Sequence, residues 1–164
     1  MPDMLVKLYE LGDVSGALNA VAAQGVTIRR ALPPERHLVV DWVREHFSDA
    51  WASECAVSMS DVPTRCFIAL QDGEILGFAC YEAACKNFFG PTGVRQDARG
   101  RGIGRALLLA SLDAMRAMGY AYAIIGGAGP VDFYRKHAGA TVIEGSSPGI
   151  YAGMLRSRRD AKGG

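Results

Sequence analysis

The segment from Val94 to Ala106 constrains this chain more than any other. An extended run ends there, Gly100, Gly102 and Gly104 follow at alternate positions, and Ile103 opens the longest helical periodicity in the sequence. Strand, glycine-rich turn and helix in that order place a helix N-terminus directly behind a strand end. The first N–H groups of such a helix lack intrahelical acceptors and carry the positive end of the macrodipole, so the junction suits a phosphate. Arg99, Arg101 and Arg105 add cations at the same place. Two familiar phosphate patterns are excluded. The dinucleotide fingerprint needs Gly or Ala where Arg105 stands, and the nucleotide-hydrolase loop needs Lys then Ser or Thr, which follow neither Gly102 nor Gly104.

The rest of the composition narrows the partners. The chain has 164 residues, 49% of them hydrophobic, the profile of one globular domain large enough to bury a core without a metal or disulfide. Lys plus Arg number 18 against 17 Asp plus Glu, a net charge of +1. Broad binding to nucleic acid or to anionic lipid needs clustered excess cations, so neither nucleic acid nor a membrane is an expected partner. Any anion must be held locally. Cys55, Cys66, Cys80 and Cys85 show no CxxC spacing, and His37, His46 and His137 are scattered, so no metal site is expected and the thiols read as buried and reduced. Asp3, Lys7 and Glu10 interrupt the first ten residues, which therefore do not resemble a signal peptide, and a cytoplasmic protein is expected. Glycine is over-represented, with 20 residues concentrated around positions 90–104, 126–129 and 139–153.

Patterning gives a mixed α/β domain. Met4, Val6 and Leu8 alternate, and Val14, Ala17, Leu18, Val21 and Ala22 fall at helical spacing, so residues 1–25 form a strand–helix extension. It either adds an edge strand and helix to the sheet or mediates a homodimer. Residues 26–31 read as a strand. Pro33 and Pro34 open a helix with Leu38, Val39, Trp42, Val43 and Phe47 on its apolar face, and Ser48 or Asp49 caps a second helix carrying Trp51, Cys55 and Met59. Asp72-Gly73 between residues 65–71 and 74–82 is a hairpin signal. A strand over 87–94 is interrupted by Gly90-Pro91, which predicts a bulge or a splayed end. A helix over 103–118 stops at Gly119. The apolar run 120–126 predicts a central strand covered on both faces, 130–137 a short helix, and 140–143 and 150–155 closing strands. The sheet is expected to be mixed and partly antiparallel, with an extension over 1–25, a main domain over 26–156 and a flexible tail over 157–164.

Arg99-x-x-Gly102-x-Gly104 is similar to the Arg/Gln-x-x-Gly-x-Gly/Ala signature of the GCN5-related N-acetyltransferase (GNAT) superfamily. Val94 resembles the end of that family's splayed fourth strand, residues 103–118 its following helix, and Phe133-Tyr134-Arg135-Lys136 its Phe-Tyr-x-Lys element after the fifth strand. The resemblance covers about residues 26–155. It implies a mixed sheet flanked by helices, with a splayed strand pair holding acetyl-CoA as co-substrate. Val94, Arg99, Gly100, Arg101, Gly102, Ile103, Gly104 and Arg105 would bind it, and an acetyl group would pass directly to a primary amine of a small molecule or protein, without a metal. The chain departs from the family at Gly127, where many members carry a cofactor-contacting Asn, and at Gly139-Ala140, where Gly-Phe is common. An acyl-CoA-binding or sensing module of the same fold, with transfer lost, is the alternative reading.

The resemblance makes Tyr134 the general acid for the departing thiolate, with the acyl carbonyl polarised by a backbone N–H near Val94. Glu82, at the end of the preceding strand, is the first candidate for the general base; Glu45, Glu54 and a water relay are alternatives. Trp42, Phe47, Trp51, Phe88 and Phe89 are candidates to line the acceptor pocket, although Trp42 and Phe47 also lie on the apolar helix face expected in the core. Phe88 and Phe89 face opposite ways in a strand, so only one reaches a pocket. Cys80 and Cys85 lack a nearby His and read as inert.

Overall fold

A computed structural model describes residues 1–155, and the tail expected over 157–164 lies outside them. Seven strands form one mixed sheet: β1 (Met4–Lys7), β2 (Thr27–Arg30), β3 (Cys66–Gln71), β4 (Glu74–Tyr81), β5 (Phe88–Val94), β6 (Tyr122–Ile125) and β7 (Thr141–Val142), in the spatial order β2-β3-β4-β5-β6-β1-β7. All neighbours are antiparallel except β5 and β6. Five helices cover it: α1 (Val14–Ala22), α2 (Arg36–His46), α3 (Asp49–Ser58), α4 (Ile103–Ala117) and α5 (Val131–Ala138). One core packs the side chains of α1, α4 and α5 against the sheet, and a second packs those of α2 and α3 against its opposite face.

Local signals account for most elements. Asp72 and Gly73 both adopt positive φ (52° and 79°), the backbone of the primed turn that joins β3 to β4. The Ser48 side chain accepts from the Trp51 N–H and starts α3, and Asp13 does the same for α1 through the Gly16 N–H. Gly119, at φ 101°, follows the last turn of α4.

Four expectations need correction. The extension over 1–25 adds no edge strand: β1 lies between β6 and β7, antiparallel to both, and α1 packs on α4. The strand covered on both faces is β4, which sends Ala79 and Tyr81 into one core and Phe78 and Cys80 into the other, whereas β6 alternates and leaves Tyr122 exposed. Leu38 is 58% exposed because α2 docks through Val39 and Val43, one turn apart, and Leu38 falls beside that stripe. Residues 150–155 form no strand: Gly149 and Gly153 adopt φ 59° and 72°, and Gly149–Tyr151 makes a single 3-10 turn.

Candidate functional site

The geometry of the site follows from an irregularity in β5. Ala79 pairs with Thr92 and Tyr81 with Phe89, so Gly90 and Pro91 together oppose Cys80 alone, a bulge on the β5 side. Pairing with β6 is confined to Phe88↔Ile124 and Phe89↔Ile125, so beyond Phe89 the two parallel strands separate. The Arg95 N–H bonds Leu76 O at 2.8 Å across β4, which turns the backbone of the preceding Val94 to the other side, into the gap between β5 and β6. The Val94 carbonyl there accepts from Arg99 Nε at 3.2 Å.

The turn after β5 then enters α4. Gly100 and Gly102 adopt φ 79° and 83°, a region that L side chains rarely occupy, and Gly102 is the N-cap. The Ala106 N–H reaches Gly102 O at 3.0 Å as the first intrahelical bond, so the N–H groups of Ile103, Gly104 and Arg105 precede any intrahelical acceptor. A Cβ on Gly104 would stand 3.6 Å from both Phe133 and Val94, so α5, β5 and the first turn of α4 meet there.

An open cleft of about 790 Å³ lies beside this junction, lined by His46, Phe47, Val94, Arg95, Gln96, Asp97 and Arg99. Its other wall is the corner between α2 and α3. Phe47 presses onto β5 so closely that a Cβ at Gly93 would fall 2.4 Å from the ring, and Phe47 is fixed by Trp51 and Phe78 at ring-centroid separations of 5.2 and 5.6 Å. His46 stacks on Trp42 at 4.5 Å, with Nδ1 3.0 Å from Trp42 O. Sequence reasoning missed His46; its position just before the Ser48 cap was the available signal. Arg95 is paired with Asp97 at 2.6 Å and Glu74 at 3.2 Å.

The predicted cofactor residues do not all face this cleft. Val94 and Arg99 line it, and Gly100, Gly102, Ile103, Gly104 and Arg105 form the adjoining turn and helix start. Arg101 is directed elsewhere: its guanidinium donates to Gln71 Oε1 at 2.9 Å and Gln24 Oε1 at 3.3 Å, and it lines a separate depression of about 270 Å³.

Tyr134 is 6% exposed, against Phe89 and Phe133, and burial pushes its hydroxyl up to about 12. Glu82 is buried, at φ 54°, in a charged knot. Its Oε1 accepts from the Tyr120 hydroxyl and the Asn87 N–H, and its Oε2 faces Arg65 Nη1 at 3.0 Å and Lys86 Nζ at 3.6 Å without hydrogen-bond alignment to either. Burial pushes the Glu82 carboxyl up, but Tyr120, Asn87, Lys86 and Arg65 together outweigh it and hold the group below the ordinary carboxylate range. Glu54, half-buried on α3, has its carboxyl raised by burial. Tyr151 is raised by burial, then by the charge of Glu54, and its hydroxyl lies 3.2 Å from where a Gly126 Cβ would stand, beside Phe88. Phe88 thus faces this end of the strand gap, while Phe89 is in the core. At Gly127 the backbone N–H donates to Asp3 Oδ1 at 2.8 Å, so the extension ties down the glycine loop after β6.

No curated protein matches the chain by sequence. Solved structures share its fold. A GCN5-related glucosamine N-acetyltransferase region of a fungal multi-domain β-N-acetylglucosaminidase superposes with a TM-score of 0.71 at 15% identity, over 87% of this chain and 19% of that one. A GCN5-related N-acetyltransferase from Sphaerobacter thermophilus gives 0.65 at 24% identity, over 87% and 48%. An acetyltransferase of the GNAT family from Colwellia psychrerythraea gives 0.59 at 14%, over 86% and 52%. The chain therefore spans between about a fifth and about half of the length of these relatives. The family model described as acetyltransferase (GNAT) family matches residues 36–140, well over half of the sequence and including both the splayed strand and the glycine turn. The chain belongs to the GNAT acetyltransferase family.

Proposed function

We propose that this protein is an acetyl-CoA-dependent N-acetyltransferase that acts on a primary amine. The observation that carries the reading is a pair of backbone features in one strand–turn–helix junction: the Val94 N–H turned into the β5/β6 gap, and the free first-turn amides of α4 behind Gly100 and Gly102. Acetyl-CoA would supply the activated thioester. Gly102, Ile103, Gly104 and Arg105 offer backbone N–H groups to its pyrophosphate, with Arg99 as the cation at the cleft wall and Val94 as the backbone partner of the arm. Arg101 serves the loop itself, by holding it to the turn after α1 and to β3 through Gln24 and Gln71.

In the transfer step the amine lone pair attacks the acetyl carbon, the C–S bond breaks, and the thiolate takes a proton from Tyr134, which burial keeps protonated at neutral pH. The surroundings favour Glu54 over Glu82 as the group that removes the amine proton. A carboxyl raised by burial is the stronger base, and Glu82 is committed to Tyr120, Arg65 and Lys86. Phe47, Trp51 and Phe88 are the aromatic candidates for the acceptor side.

The test has two readouts. Acetyl-CoA should raise Tm through ligand linkage, by an amount corresponding to about 2.7 kcal/mol at a hundredfold excess over Kd. Gly102→Glu, which puts a carboxylate at the turn, should remove that shift with the circular dichroism spectrum retained. Release of free thiol from acetyl-CoA across an amine library should then identify acceptors. No Tm shift at millimolar acetyl-CoA sinks the reading. A shift without thiol release for any amine leaves the binding module in its place.

A further inference from the structure

Three of the four cysteines, distant in sequence, converge in the core beneath α2 and α3. Cys66 opens β3 and Cys80 lies directly opposite it on β4. Ala31 N–H bonds Cys66 O on the β2 side, so Cys66 and Cys80 are a non-hydrogen-bonded pair, the type in which facing side chains come closest. Cys55 comes down onto this pair from the middle of α3. The three Sγ atoms lie within 4.8 Å of one another, and each residue is 0% exposed. The Ser58 hydroxyl donates to Cys80 Sγ at 3.2 Å and Cys55 O at 2.7 Å, and Cys66 Sγ lies 3.8 Å from Phe67 O. The surrounding core, which includes Val43, Ala52, Met59 and Phe78, is apolar. Cys85 stands apart and is half-buried. No short spacing announces this cluster, because it is assembled by strand register and helix docking.

We propose that Cys55, Cys66 and Cys80 form a three-thiol site for trivalent arsenic, bound from arsenite. Three sulfur donors select a soft centre. Zinc in a closed protein site takes four ligands, and the side-chain oxygen beside the thiols, that of Ser58, is already engaged. Charge decides further. Three thiolates around a divalent ion would leave a net negative charge in an apolar core, which is costly, whereas around a trivalent ion they are neutral. The reaction balances without an oxidant: As(OH)3 exchanges three As–O bonds for three As–S bonds, and the three thiol protons leave with the hydroxides as three waters. Because the thiols are enclosed, binding proceeds at the rate at which α3 opens locally.

The experiment uses the full chain, reduced, with sodium arsenite as the probe and zinc chloride as a second arm. Native mass spectrometry should show one adduct carrying one arsenic less three hydrogens, Tm should rise, and X-ray absorption at the arsenic edge should show three sulfur neighbours and no oxygen. Cys55→Ala, Cys66→Ala and Cys80→Ala should each weaken binding by at least about tenfold, and Cys85→Ala should leave it unchanged. Absence of the adduct, an oxygen retained on arsenic, loss of binding in Cys85→Ala, or tighter binding of zinc than of arsenite would each overturn the proposal. Where a core variant fails to fold, the sulfur count on the unmutated protein decides. The site is independent of the proposed transfer activity.

Discussion

Tyr134 and Glu82 show how environment separates two titratable groups that look equivalent as candidate proton carriers. Tyr134 is raised to about 12 by burial, so the folded state holds its proton more tightly than the unfolded chain. Its contribution of about 2–3 kcal/mol is therefore complete below pH 10 and is lost as pH rises from about 10 to about 12. Melts of Tyr134→Phe against pH should lack that alkaline loss and retain the acetyl-CoA shift, while turnover falls by about a hundredfold; unchanged turnover would remove Tyr134 from the chemistry. Glu82 is depressed, so its contribution is present above the ordinary carboxylate value and is lost as pH falls through that range. Glu82→Gln should lower stability by about 1–3 kcal/mol, because it breaks the pairing with Arg65 and Lys86. Glu54→Gln should leave Tm nearly unaltered and instead depress kcat and flatten the acid limb of its pH profile. The opposite assignment of the two effects would return the base to Glu82.

At the level of elements, the contact of the α2–α3 corner with β5 sets the width of the cleft. Phe47 reaches the strand only because position 93 has no Cβ. Gly93→Ala should force the ring off its seat against Trp51 and Phe78, at a cost of about 1–3 kcal/mol, and swing it into the cleft, weakening acetyl-CoA binding. Adding Phe47→Leu should recover most of both losses in a double-mutant cycle; a Gly93→Ala protein as stable as its parent would mean that the contact is slack. The same elements show what a sequence makes legible. The hairpin over β3 and β4, the Ser48 cap and the glycine turn into α4 were readable because each depends on residues within a few positions of one another. The bulge at Gly90-Pro91 was readable for the same reason. The closing strand over 150–155 did not form because Gly149 and Gly153, both at positive φ, turn the chain there instead of extending it. The thiol cluster and the Asp3 bond to Gly127 had no local signature at all, since register across the sheet creates them.

For the molecule as a whole, the decisive point is that the N-terminal segment is structural. The family match begins at residue 36, which makes residues 1–25 look dispensable. In the fold they are central: β1 pairs with β6 along Met4↔Ile125 to Lys7↔Tyr122 and with β7 on its other edge. Met4, Val6, Leu8 and Val21 are at most 1% exposed in the core shared with α4. Burial of the larger of these side chains contributes roughly 1.5–3 kcal/mol each, on the order of 10 kcal/mol together, against a total stability of about 5–15 kcal/mol for a typical domain. Deletion would also strip β6 and β7 of their shared partner and leave Gly127 and Ala128 without the Asp3 and Pro2 acceptors of their N–H groups. A protein lacking residues 1–25 should therefore lose its cooperative melt and bind a hydrophobic dye, and added acetyl-CoA should not restore it. A truncated protein that melts cooperatively near the full-length Tm would show that β2 to β6 form a self-sufficient core, and would make β1 an accessory to the fold.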